Sequence, residues 1–183
     1  MKRIRVVFTG QMRGSTSGTD MTKAINLTRE AEMNRLNVIQ GALSVENQLD
    51  AVIAHYFFGS SHERRAAESL VLNSDWCSFA AKCKLIAHII SEQNLLEGRE
   101  KSEFDKLLRD VMSVRNAFAH GKFCSDEKRL SLSFFEGTPR DKELTDEYLA
   151  EIETLLRVAF EKTFTLTQEI RAAKPAGNIN ETI

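Results

Sequence analysis

The run from Val114 to Gly121 reads VRNAFAHG and places Arg115, Asn116 and His120 within six residues of one another. A guanidinium presents a planar fork of donors that matches carboxylate or phosphate. An amide can orient a neighbouring side chain, and an imidazole gains and loses a proton near neutral pH. Together the three residue types suit a centre that binds an anion and moves a proton. Arg115 is oddly placed for such a residue, because helical spacing puts it in line with Phe104, Leu108, Val111 and Phe118. A cation on an apolar line must meet an anion, since an unpaired buried charge is strongly unfavourable.

Two acids offer themselves. Glu46 and Asp50 lie one turn apart beside the apolar stripe of an earlier helix, and a phosphate or a neighbouring subunit would serve as well. The plain structural expectation is an Arg115 clamp onto Glu46 or Asp50 that ties two helices together. Asn116 and His120, four apart, share a neighbouring polar side of the helix. Arg115 and His120 are five apart and point about 140° away from each other on a regular helix. Bringing both to one reactive centre therefore needs a distorted last turn or a second copy of the chain.

The elements that must hold these residues follow from the apolar spacing. From about residue 22 to 57, Val38, Ala42, Val45, Leu49, Val52, Ile53 and Tyr56 keep to one side of a long helix. Gly59 ends it, and Ser60 with Glu63 starts a short helix through about Leu72. Asn73-Ser74-Asp75 supplies the next start, for a helix to about Glu92 that is expected to bury Trp76, Phe79, Ala80, Cys83, Ala87 and Ile90. Leu85 and Ile89 fall off that stripe and form a second apolar ledge. Ser102 opens the helix that ends in the Arg115 to His120 run, and Gly121 stands where a left-handed C-cap is expected.

After Gly121 the period changes to two. Leu130, Leu132 and Phe134 alternate with Ser131 and Ser133, so a strand is expected there, paired with Lys122 to Cys124 as a small β-hairpin that Gly137 and Pro139 break. Thr145, followed by Asp146 and Glu147, caps a last helix through about Arg171. The expected fold class is all-α: a bundle of about five helices with a small β-hairpin after the Arg-Asn-x-x-x-His helix. Residues 1–20, with GQMRGSTSGTD at 10–20, are read as a flexible basic arm, residues 21–173 as one helical domain, and residues 174–183 as a flexible tail.

Composition narrows the function classes. The chain has 183 residues, 42% of them hydrophobic, enough for one core. Acidic and basic residues nearly cancel to a net charge of -1, so nothing global points to a nucleic-acid or membrane coat. Three cysteines without CxxC spacing argue against a disulfide framework or a thiolate zinc site. No window is apolar for long enough to span a bilayer. The reading is a soluble cytoplasmic protein with no cofactor and no metal. His55, His62 and His88 are not spaced as metal ligands, and the run Ile4 to Phe8 before Gly10 and Gly14 lacks the GK[ST] of a phosphate loop. Lys82, Lys84 and Arg109 could join Arg115 in a local basic patch.

The RNAFAH run, together with the DWCSFAAKCKLI segment at 75–86 and the long helix before it, resembles HEPN domains. From about Gly41 to Gly121 it is most similar to the mannitol-repressor-like branch of that group. The resemblance implies an α-helical homodimer and, in many members, a metal-independent endoribonuclease. Carried over, Arg115 would bind the scissile phosphate, His120 would assist attack of the ribose 2′-hydroxyl or protonate the leaving oxygen, and Asn116 would orient the pair; Glu46 and Asp50, from their place beside the first helix's stripe, are the expected supporting residues. The expected partners are a second copy, RNA, and an antitoxin or other protein in a toxin or defence setting. The alternative is a non-catalytic regulatory or interaction module, in which Arg115 clamps Glu46 or Asp50 and the Leu85 and Ile89 ledge docks a partner.

Overall fold

The computed structural model describes residues 18–58, 61–74, 77–125 and 130–173. It is mainly α-helical. The described residues contain five α-helices: α1 (Gly18–Phe57), α2 (Ser61–Ala67), α3 (Phe79–Gln93), α4 (Gly98–His120) and α5 (Asp146–Ala173). A small antiparallel sheet of β1 (Lys122–Ser125), β2 (Leu130–Glu136) and β3 (Thr138–Glu143) lies between α4 and α5 in the chain. Residues 1–17 and 174–183, where the arm and tail were expected, lie outside the described residues, and α1 already includes the last residues assigned to the arm.

The stripe of α1 is buried as its spacing predicts, from Val38 through Ile53, and α1 packs along α5 and against α3 and α4. Leu49, Ile86, Ile90, Phe104, Leu108, Val111 and Ile170 meet in the main core. The short helix after α1 changes character before its end, since α2 passes into a single π-helical turn, Glu68–Leu72, closed by the Asn73 amide on the Glu68 carbonyl at 3.0 Å. Thr145 caps α5 as expected: its Oγ1 accepts the Tyr148 amide at 3.2 Å.

Three expectations are corrected. The first is α3, which starts at Phe79 behind Ser78, whose hydroxyl accepts the Ala81 amide at 3.2 Å. The start expected at Asp75, and Trp76 with it, lie outside the described residues. The buried face is Phe79, Lys82, Ile86, Ile89 and Ile90, while Ala80 is exposed. Ile89 is fully buried and Leu85 packs against the same core, so the expected ledge is spent inside the molecule. A lysine points inward because acids wait for it, which a hydropathy pattern does not register.

The second is the hairpin, which is a three-stranded sheet in the order β1-β2-β3. Gly137, at φ 70, turns the chain, and Pro139 sits opposite Phe135 in β3. As an edge strand β3 tolerates a proline, and all six of its residues are exposed. Charged side chains on such an edge discourage further pairing. With neither face buried, β3 has no alternation to be read.

The third is Gly121. It is not a left-handed cap, because its backbone is extended at φ -72 and ψ 161. Glycine is required by space: a Cβ there would stand 2.4 Å from the Ala117 carbonyl oxygen and 2.7 Å from Leu132 Cδ1. α4 also begins earlier than expected, at Gly98 with Glu97 in the cap position.

Candidate functional site at the end of α4

The last two turns of α4 divide sharply by exposure. Ala117 and Phe118 are buried in a second apolar cluster with Val38, Leu132 and Ile152, which draws α1, the sheet and α5 around the helix end. Ser113 Oγ donates to Glu136 Oε1 at 2.5 Å, a further tie from α4 to β2. Burial of Ala117 and Phe118 turns Asn116 and His120 outward, and both are exposed. Arg115 is half-buried, as its place on the apolar line requires.

Arg115 Nη1 donates to Asn116 Oδ1 at 3.0 Å. Among the described residues no carboxylate is paired with Arg115, and no hydrogen-bond or ion-pair partner stands against the His120 ring. Arg115 and Asn116 are thus brought together within the chain, and His120 shares the helix end with them.

Glu46 and Asp50 are not its partners, and the expected clamp is corrected here. They bind Lys82 of α3, whose Nζ lies 2.8 Å from Glu46 Oε1 and 2.9 Å from Asp50. All three are largely withdrawn from solvent, with Lys82 only 2% and Asp50 only 5% exposed. Burial works to lower the lysine, but the hydrogen bonds that it donates to Glu46 and Asp50 outweigh it and hold the ammonium above its ordinary range. Two carboxylates share one cation, so a negative charge is left over. Burial accordingly pushes the Asp50 carboxyl up, against the hydrogen bond and charge of Lys82. This cluster is the charged clamp between α1 and α3. It also removes Lys82 from the expected basic patch, leaving Lys84 and Arg109 exposed on α3 and α4.

Arg35 of α1 escaped the sequence reading. Its Nη2 donates to the Gly121 carbonyl oxygen at 2.8 Å, directly after His120. The guanidinium carbon lies 4.5 Å from the Phe123 ring centre, and Nη1 is 3.8 Å from Glu32. Its Nε is buried without a partner among the described residues. A signal for it existed: Ala31, Arg35, Val38 and Ala42 continue the α1 stripe backward at helical spacing, so Arg35, like Arg115, is a cation on an apolar line.

Other candidates recede. Burial, then the charges of Asp105 and Glu46, push the Cys83 thiol up to about 11, which leaves it protonated and a poor nucleophile. Among the described residues no group of three or more His, Cys, Asp or Glu side chains could hold a metal ion, and no helix is long and apolar enough to cross a membrane. A groove of about 780 Å³ runs between α1 and α5 past Gly41, Leu149, Leu156 and Phe160. Neither it nor the smaller hollow beside Ser113 and Val114 is lined by Arg115, Asn116 or His120. Within the Arg115 to His120 run, Asn116 and His120 are exposed and Arg115 is half-buried beside them. Comparison of the chain with protein-family models, with curated proteins and with solved structures finds no match.

Proposed function

We propose that this protein is a HEPN-like endoribonuclease that acts without a metal and as a homodimer, in a toxin or defence setting. The observation that carries the reading is that Arg115 sits half-buried on the core line of α4 with only Asn116 as a partner among the described residues, while the acids that could neutralise it are held by Lys82. A guanidinium so placed is available to an outside anion. An exposed imidazole at the same helix end is available to a proton.

The chemistry that fits is transesterification. The ribose 2′-oxygen bonds to phosphorus, the bond from phosphorus to the 5′-oxygen breaks, and a 2′,3′-cyclic phosphate remains on one fragment. One His120 takes the 2′-hydroxyl proton, and the His120 of the second copy gives a proton to the departing 5′-oxygen. Arg115 neutralises charge that builds on the phosphoryl oxygens, and Asn116 holds the guanidinium to the outside of the helix. The five-residue spacing of Arg115 and His120 is what calls for the second copy. An open site suits a polymer laid across a surface better than a small molecule enclosed in a pocket.

The test is cleavage of single-stranded RNA in the presence of EDTA, with the product ends identified. Wild-type protein should leave cyclic phosphates. His120→Ala and Arg115→Ala should each lower the rate by roughly 100-fold or more while remaining folded. RNA left intact by the wild type over a broad set of sequences would overturn the reading.

A further inference from the structure

We infer that Arg35 is a positioning residue for His120: by gripping the Gly121 carbonyl it fixes the backbone from which the imidazole projects. The inference rests on the reading of His120 as a working residue.

The end of a helix leaves its last carbonyls without partners inside the helix. Many helices answer this with a left-handed glycine, and Gly121 does not, being extended. Here the end is closed from outside. The Gly121 amide bonds to the Ala117 carbonyl at 2.8 Å, and its own carbonyl accepts from Arg35, 86 residues earlier in the chain. On the remaining side Leu132 and the Ala117 carbonyl leave no room for a Cβ. The peptide that follows His120 is thus pinned at its amide, its carbonyl and its Cα.

Arg35 is in turn seated. Its guanidinium lies over Phe123 at 4.5 Å, and the Phe123 ring meets Phe118 edge-on at 6.2 Å between centroids. Phe118 belongs to the same turn of α4 as His120. The path from Phe118 through Phe123 and Arg35 to Gly121 therefore closes on itself around the His120 backbone. The side chain of His120 is exposed and bonds to nothing among the described residues, so the backbone is what holds its place. A planar guanidinium can stack on the ring and reach the carbonyl together, which an ammonium cannot. The contact with Glu32, at 3.8 Å, is too long for a hydrogen bond, so pairing with that acid does not account for the arginine.

The experiment compares wild type, Arg35→Met and Arg35→Lys in two readouts: the ring resonances of His120 with amide exchange at Gly121 and Lys122 by NMR, and steady-state cleavage of single-stranded RNA. With the fold intact by circular dichroism, Arg35→Met should shift and broaden the His120 ring signals and speed exchange at both amides. It should also lower kcat by roughly 10- to 100-fold with KM little changed, and Arg35→Lys should recover only part of each effect. If Arg35→Met fails to fold, Arg35→Lys decides by the same readouts. Unaltered His120 and amide signals in a folded variant would overturn the inference, as would a raised KM with unchanged kcat, which would make Arg35 an RNA contact. If wild-type protein leaves RNA intact, the ribonuclease reading fails and the NMR arm still decides whether Arg35 fixes His120.

Discussion

The ammonium of Lys82 stands 2.9 Å from the carboxylate of Asp50, and both are almost wholly inside the protein. An α3 lysine and an α1 aspartate, 32 residues apart, thereby do what was expected of Arg115. Because the clamp is made elsewhere, Arg115 has no structural duty toward these acids.

Removing Lys82 should be costly. Lys82→Met leaves Asp50 buried and Glu46 half-buried without their shared counterion, and the expected loss is about 3–5 kcal/mol near pH 7. The sign with pH follows from the directions of the shifts. Asp50 is raised in the folded state, so its contribution is complete below its unfolded value and falls as pH rises through its folded value. The deficit of Lys82→Met should accordingly shrink as the pH is lowered and Asp50 takes up its proton. Lys82 is also raised, so wild-type stability should hold up to the ordinary lysine range and fall above it. Urea denaturation of both proteins over that pH series checks all three statements.

Arg115→Met should behave oppositely. With only Asn116, among the described residues, bound to the guanidinium, the loss of stability should stay within about 1 kcal/mol, while RNA cleavage should disappear. A loss of 3 kcal/mol or more, in the range of about 3–5 kcal/mol for breaking a buried ion pair, would show that Arg115 is structural.

Gly121→Ala tests the close approach at the end of α4. The new methyl group meets the Ala117 carbonyl and Leu132, and neither the helix backbone nor the core side of β2 yields easily. The expected destabilisation is about 1–3 kcal/mol, read by chemical denaturation. Wild-type stability in this variant would mean that the helix end is softer than its packing indicates.

The proposed recognition of phosphate by Arg115, against which no aromatic ring stacks among the described residues, should be sensitive to salt. Raising monovalent salt from about 50 to 200 mM should weaken RNA binding several-fold, and Arg115→Ala should flatten the dependence. Titration of a labelled oligonucleotide at several salt concentrations measures the slope.

What could be read from the chain was what depends on near neighbours. The stripes of α1, α4 and α5 recur every three or four residues, the Thr145 cap acts within one turn, and Arg115, Asn116 and His120 fall on one helix end by spacing. The third strand left no trace because all its residues are exposed, and the true start of α3 was hidden by a stronger cap signal a few residues earlier. Which cation meets which anion was decided only in three dimensions. The spacing pointed to Arg115 as the partner of these acids and put Lys82 in a basic patch, but α3 and α1 bring Lys82 to Glu46 and Asp50 and leave Arg115 to Asn116. Gly121 likewise looked like a left-handed cap, and its reason proved to be lack of room for a Cβ against the Ala117 carbonyl and against Leu132, brought from β2. Charge pairing and close packing are set by distance in space, and a one-dimensional pattern records only separation along the chain.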